Sequence, residues 1–358
     1  MSTDSSQLGY LEASGTPHDI GVQLGRFGAA IAHSHLVNAP AWHSVMAFRG
    51  DVRIAAMRQI VEERLPACWQ ELQGLAQGLD LPFDDVFLWN CRGDVWAMAP
   101  DGCTTVLVPG PEPVIAHNED GDPGLRGQCA LARVNPDAGR AFTAFVYPGS
   151  LPGHTFAVTE TGLAQAVNNI RSRSAGIGLP RMVIGRAVLD CATLDEAIRT
   201  IETLPRAGAF HFTLAQRGDP RLVSVEFTHE RSSVVFFEHP SCHANHLIHG
   251  GMTSEPQIVT GSSAARQQRG NELLRQIGAG RPDPLSILRD RMNDALPIMR
   301  EQADDSDNEN TLATALICVG ADRVDWQVHE RANASSRYRL VDTRLVQSSD
   351  LEHLSTAN

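Results

Sequence analysis

The stretch MAPDGCTTVLVPG, residues 98–110, sets a cysteine where a turn gives way to a strand. Asp101 and Gly102 are turn formers, and Thr104, Thr105, Val106, Leu107 and Val108 favour extended backbone. Taken alone, Cys103 reads as a small buried hydrophobe at a junction. The sequence on either side decides whether that reading is enough.

Upstream the texture is helical. Residues 17–36 open with turn formers and then carry small and apolar residues at helical spacing. Residues 51–79 read as a helix broken near Pro66 and resumed with an apolar face, and DLPFDDVFLWNCRGDVW follows as a turn and a short helix. The first hundred residues are expected to be mainly helical.

Downstream of Gly102, short β-type runs succeed one another: CTTVLVP, PVIAHNED, CALARVNP, RAFTAFVYPG and HTFAVTETGLAQAVNNI. Pro, Gly, Asp and Asn separate them, as in an antiparallel sheet. TLDEAIRTIETLP (193–205) predicts a helix, with Thr193 and Glu196 as a capping box and Leu194, Ala197, Ile198, Ile201 and Leu204 on one face. Strands FHFTLAQ, LVSVEFT, SVVFFEH and NHLIHG come next. Helices near 263–277 and 284–300 and a hairpin of TLATALICVG with RVDWQVHE complete the chain. Sheets with helices between them predict a layered α+β fold, and no repeat or long linker divides it, so residues 1–358 read as one domain.

The composition removes several functions. No lysine occurs, and all thirty basic residues are arginine. P-loop, Schiff-base and Ser–Lys mechanisms are excluded with it. A net charge of −12 argues against nucleic acid as a partner, and the acidic run EQADDSDNEN (301–310) reads as a solvated loop. Seven scattered cysteines without a CxxC pair point to a reducing compartment. With neither a signal-like N-terminus nor an apolar run long enough to span a bilayer, a cytoplasmic enzyme without membrane contact is expected.

A helical leader ending in DG, directly before Cys and a strand, fits a precursor that cuts itself. The Cys103 thiol would attack the Gly102 carbonyl, an N-to-S acyl shift would follow, and hydrolysis would open the backbone. Gly102, lacking a Cβ, would tolerate the conformation this requires. The new α-amine, with a reference pKa near about 8, would then serve as base to its own thiol. A plain Asp–Gly turn explains the same residues without chemistry.

The order of several fragments decides for chemistry. SGTPHDIGVQLG, ELQGLAQGLDLPFDDVFLWN, DGCTTVLV, AHNEDGDP, TGLAQAVNNI, LPRMVIGRAVLDCATLDEA, VSVEFT, HANHLIHG and SSAARQQR are collinear over roughly residues 14–330 with one family. In them the chain resembles the acyl-coenzyme A:6-aminopenicillanic acid (isopenicillin N) acyltransferase family of cysteine N-terminal-nucleophile proteins. The resemblance implies a four-layer αββα sandwich with two stacked antiparallel sheets. It also implies self-cleavage into segments 1–102 and 103–358 that stay associated, in a monomer or a homo-oligomer. The implied activity is hydrolysis or transfer of the acyl group of a small N-acyl amine or amino acid, through a thioester on Cys103.

The resemblance also assigns roles. Asp120 matches the carboxylate that anchors the nucleophile's α-amine, with Glu119 and Asp122 set below it because NEDGDP also reads as a polar hairpin turn. Asn245 matches an oxyanion donor. Asn168 and Asn118 are expected in the substrate pocket, and Arg266 near Asp120 or a substrate carboxylate. No metal or organic cofactor is implied.

Two rivals carry different chemistry. Cys242, His243, His246 and His249 recur within EHPSCHANHLIH (238–249), as ligands of a zinc hydrolase could. A strand there would send alternate side chains to opposite faces and scatter them. An uncut, non-catalytic binding protein of the same fold is the second rival.

Overall fold

The computed structural model describes residues 7–100, 102–278, 280–305, 307–332 and 335–346. The turn expected at Asp101 lies outside them. The strand that follows, β2 (Gly102–Val108), is buried at all seven residues. It therefore shows no polar–apolar alternation, because it is covered on both faces.

Among the described residues, fifteen strands make two sheets. The seven-stranded sheet contains β2, β3 (Val114–Gly121), β11 (Ser241–His243), β12 (Asn310–Val319), β13 (Val324–His329), β14 (Tyr338–Val341) and β15 (Arg344–Leu345). Its order is β11-β2-β3-β12-β13-β14-β15, antiparallel throughout. The eight-stranded sheet contains β1 (Gly9–Gly15), β4 (Ala130–Pro136), β5 (Phe142–Val146), β6 (Ala157–Thr159), β7 (Leu163–Asn169), β8 (Phe210–Gln216), β9 (Asp219–Phe227) and β10 (Ser232–Phe236), in the order β1-β4-β5-β6-β7-β8-β9-β10. One pair in it departs from the antiparallel expectation, since β1 runs parallel to β4. β1 is an edge strand inside the leader expected to be mainly helical, and only one of its residues is buried, so it leaves little trace in the sequence.

The sheets stack through an apolar layer in which Leu107, Ile115 and Trp326 of one meet Leu131, Phe145 and Phe156 of the other. Outside the eight-stranded sheet lie α1 (Pro17–Ser34), α2 (Pro40–Met46), α3 (Val52–Arg64), α4 (Pro66–Leu79), α5 (Phe83–Asn90), α6 (Arg92–Val95), α7 (Arg181–Val188) and α8 (Leu194–Thr203). Outside the seven-stranded sheet lie α9 (Gly261–Ile277) and α10 (Pro284–Leu288). This is the αββα order of layers.

Helices α1 and α4 cross at backbone contact. A Cβ added at Gly21 would stand 2.1 Å from the Glu71 carbonyl oxygen, and one at Gly74 would stand 2.0 Å from that of His18. Only glycine fits at such a crossing.

Four local expectations are corrected. Thr193 accepts from the Glu196 N–H, but the Glu196 carboxylate turns to the Ala192 N–H, so the capping box is half formed. The predicted strand NHLIHG is a loop beyond β11, because the N–H groups of Asn245, Leu247 and Ile248 donate to side chains of Ser263, Gln257 and Glu226 instead of a neighbouring strand. The helix expected over 284–300 stops at Leu288, where Asp290 and Asn293 side chains accept local N–H groups and form turns. Finally, EQADDSDNEN is not simply a solvated loop. Asp305 and Glu309 turn inward onto the buried Arg300.

Candidate active site at Cys103

The register of β2 on β3 builds the site. Gly102 pairs with Asp120, Cys103 with Glu119, Thr104 with Asn118 and Thr105 with His117. Alternation then sorts the side chains: Cys103, Thr105, His117 and Glu119 face the other sheet, while Thr104, Asn118 and Asp120 face the α9–α10 layer. The strand expected over PVIAHNED thus runs through Glu119 and Asp120 to Gly121, and the alternative turn reading of NEDGDP does not hold for them.

On the inner face the Cys103 thiol donates to Glu119 Oε2 at 3.7 Å. Glu119 is also bonded to His117 Nε2, at 3.0 Å, and accepts from the Tyr147 hydroxyl at 2.8 Å. His117 Nδ1 meets the Thr105 hydroxyl at 2.8 Å, and that hydroxyl donates to Asn168 Oδ1 at 2.7 Å. Asn168 is further bonded to His211 and to the His243 carbonyl, which places it behind Cys103 in a polar chain between the sheets. Burial pushes the His117 imidazole down to about 3 and His211 well below its ordinary value, with His243, His249 and His117 adding to the effect on His211.

The edge of β2 explains Asn245 and Arg266. β11 pairs with β2 only from Leu107 to Thr105, and Cys103 extends beyond its end. A longer partner strand would satisfy the Cys103 N–H and carbonyl with backbone. Here the N–H donates to Asn245 Oδ1 at 2.9 Å, and the carbonyl accepts from the Arg266 guanidinium. Arg266 also donates to Asn245 Oδ1 and to Thr104 Oγ1, both at 2.8 Å. Burial holds this guanidinium below its ordinary value despite the pull of Asp120.

On the outer face Asp120 accepts from the Thr311 hydroxyl at 2.7 Å. Its cation is Arg300, at 3.6 Å, and not the expected Arg266. Among the described residues, Asp120 Oδ2 accepts no hydrogen bond. Burial works to lower Arg300, but Asp120 and Glu309 outweigh it and hold the guanidinium above its ordinary value. This cluster gives Gly102 a steric reason, since a Cβ there would lie 2.5 Å from Glu309 Oε2 and 3.0 Å from Arg300 Nη1.

The structure therefore brings Cys103, Asn245 and Arg266 into contact and sets Asp120 beside Gly102. It ties Asn118 elsewhere: its amide donates to the Leu288 and Ile298 carbonyls, and its oxygen accepts from Thr314. His117, Tyr147 and Arg300 belong to the site without having been singled out by the sequence, and Glu119, set below Asp120 there, belongs to it as well. The spacing of His117 and Glu119 on one strand was the available signal, and it needed the β2–β3 register to point them at Cys103.

The four residues of the zinc reading do not converge. Cys242 packs against Gly270, His243 stacks on His211 with ring centroids 3.4 Å apart, and His246 and His249 bond to Ser263 and Ser224. Among the described residues, the donor atoms with metal-like spacing are those of Cys103, His117 and Glu119, all within 4.8 Å of one another. Burial pushes the thiols of Cys68 and Cys242 up to about 12 and that of Cys191 to about 11, which leaves them poor nucleophiles.

A cysteine opening a strand of two stacked sheets, cased in helices on both outer faces, is the architecture of an N-terminal-nucleophile hydrolase sandwich. The chain belongs to the acyl-coenzyme A:6-aminopenicillanic acid acyl-transferase family, whose model matches residues 108–333. That span holds Asp120, Asn245 and Arg266 and begins just past Cys103. The chain is also similar to the β-alanyl-dopamine/carcinine hydrolase of Drosophila melanogaster, with 25% identity over 243 residues. The match takes in 59% of this chain and 62% of that relative's length. Among solved structures, a Gly-1 mutant of Anbu from Hyphomicrobium sp. strain MC1 aligns at 12% identity with a TM-score of 0.25, covering 72% of this chain and 92% of that one. Among the described residues no helix is long and apolar enough to cross a membrane.

Proposed function

We propose that the chain is a precursor that cuts itself between Gly102 and Cys103, and that Cys103 then hydrolyses the amide of a small N-acyl amine. Asp120 carries this reading. Among the described residues its Oδ2, buried beside Gly102, accepts no hydrogen bond and has the Arg300 guanidinium no nearer than 3.6 Å, an unfavourable state. The α-ammonium released from Cys103 would supply the missing donor.

In the mature form the α-amine takes the thiol proton and Cys103 Sγ attacks the substrate carbonyl. The oxyanion is met by Asn245, whose amide now donates to the Asn169 carbonyl and would turn once the Cys103 amide is gone. Arg266 fixes Asn245 and the Cys103 carbonyl. Collapse expels the amine and leaves a thioester, which water resolves. Resolution by an amine would make the protein a transferase, as the family's name describes, and only the product distinguishes the two.

The relative's name directs the choice of substrate to amides of β-alanine. Seven scattered cysteines without a CxxC pair suit a reducing, cytoplasmic setting. The two segments stay together after the cut because β1 and β4 pair across it.

The test is the N-terminal sequence of the purified protein together with turnover of carcinine, β-alanyl-dopamine and a panel of N-acyl amino acids. A larger chain starting at Cys103, and loss of both cutting and turnover in Cys103→Ala, are expected. Full activity in uncut protein overturns the mechanism. Chelator treatment should leave turnover intact, and a loss restored by zinc would move the chemistry to a metal.

A further inference from the structure

We infer that Glu119 and His117 together accept the Cys103 thiol proton during self-cleavage, before any α-amine exists. The inference rests on the self-cleavage reading above and adds to it the base for the first turnover.

The uncut chain poses a specific difficulty. The mature enzyme's base is the α-amine, but here the Cys103 nitrogen is an amide whose N–H is already given to Asn245 Oδ1. An amide nitrogen has no basicity to offer a thiol, so the first proton must go to a side chain. Glu119 touches the thiol, and it sits directly opposite Cys103 in the β2–β3 register.

The hydrogen-bond directions around the pair fix its proton count. The Asn168 amide donates to the His243 carbonyl, so its oxygen faces Thr105. The Thr105 hydroxyl must therefore give its one hydrogen to Asn168 Oδ1 and can only accept from His117. His117 Nδ1 then carries hydrogen, and the contact of Nε2 with Glu119 Oε2 at 3.0 Å holds a second proton, shared between ring and carboxyl. Tyr147 donates to the far oxygen, Oε1, and steadies the carboxyl from the eight-stranded sheet. At rest, then, the Glu119–His117 contact holds one proton and has room for another.

The step balances as follows. The thiol proton passes to Glu119 Oε2, and the dyad now carries two protons, one on each partner. The thiolate adds to the Gly102 carbonyl carbon, forming a C–S bond and an oxyanion. The C–N bond to Cys103 then breaks, and the departing nitrogen takes the second proton back from the dyad. The products are a Gly102 thioester on Cys103 Sγ and a free α-amine. Water cleaves the thioester to a Gly102 carboxylate and the thiol; the proton this releases goes to the α-amine, and the dyad keeps its one proton.

The test follows cutting of the full-length chain after cell-free synthesis, with and without hydroxylamine, which intercepts thioesters. Wild type, Glu119→Gln, Glu119→Asp, His117→Gln and Cys103→Ala are compared, with circular dichroism melts as the fold control. General-base participation is worth about 100- to 10,000-fold. Glu119→Gln and His117→Gln should thus cut at least about 100-fold more slowly than wild type and stay uncut in hydroxylamine, because no thioester forms. Glu119→Asp should recover part of the rate. If Glu119→Gln fails to fold, His117→Gln carries the same test. Cutting of either variant within threefold of wild type, or its rescue by hydroxylamine, overturns the inference while leaving self-cleavage intact. A wild type that never cuts overturns both.

Discussion

Asn245 Oδ1 takes the Cys103 backbone N–H at 2.9 Å, at the place where two more residues of β11 would have paired with β2. A side chain there replaces a rung of the ladder. If the chain cuts itself as proposed, this side chain holds the amide of the scissile bond and would be released when that amide becomes an amine. A strand neighbour could not change partners in this way.

Replacing Asn245 with Ala should therefore act twice. Self-cleavage should slow, and in the fraction that does cut, kcat should fall about 100- to 1,000-fold with little change in KM, the signature of a lost oxyanion donor. Rates normalised to cut chains, counted by N-terminal sequencing, provide the measurement. Near-wild-type kcat would reduce Asn245 to a loop anchor.

Asp120→Asn should move the pH profile of the mature enzyme in a defined direction. A carboxylate beside an ammonium stabilises the charged form and raises the amine's pKa. Removing that charge lowers the pKa, so the free base survives to lower pH. The acidic limb of kcat/KM should shift down by on the order of one pH unit. An unmoved limb would show that Asp120 does not face the amine.

Gly102→Ala is expected to strain the folded chain before any chemistry. The new methyl would press on Glu309 Oε2 and Arg300 Nη1, both held in a buried ion pair. Overpacking of this kind costs about 1–3 kcal/mol. Measured in the uncut Cys103→Ala background, the double variant should show a lower urea midpoint. An unchanged midpoint would mean that the ion pair yields freely.

Acid should destabilise the fold below about pH 6.5. Burial pushes His154 down to about 3, His246 to about 4 and His211 well below its ordinary value, so these rings stay neutral when folded and protonate when unfolded. Stability from them is complete above the unfolded pKa and is lost as pH falls towards the folded values. Asp94 works the other way. Burial raises it to about 7, so it favours the folded state more as pH falls. Three rings against one carboxyl leave a net loss of about two protons' worth, roughly 2–3 kcal/mol per pH unit near pH 5. Urea midpoints between pH 4 and 8 should fall on the acid side and be flat above pH 7.

Much of this molecule was legible in its residues. The change of texture at Gly102 placed the start of β2, the strand and helix periods gave a layered α+β fold wherever one face meets solvent, and the resemblance carried by the collinear fragments implied its αββα order. Legibility failed where burial is complete. α7 is buried on every side, so it has no polar stripe to announce it. Glu119 sat in an expected strand but ranked below Asp120, because only the register of β2 on β3 shows that it turns towards a thiol. Arg300 and Glu309 lay within or beside an acidic run, and nothing local showed that this segment folds inward.

The glycine-lined crossing of α1 and α4, together with β1, has a consequence for how the mature protein would lose its structure. All three elements precede Gly102, yet β1 is a rung of the sheet that the later strands complete. A backbone opened at residue 102 would thus be nicked, not shed, and its two pieces would part only on unfolding. From then on refolding becomes a meeting of two molecules, and dilution works against it. The precursor would recover from denaturation at any concentration. The nicked enzyme would have to survive on the slowness of its own opening.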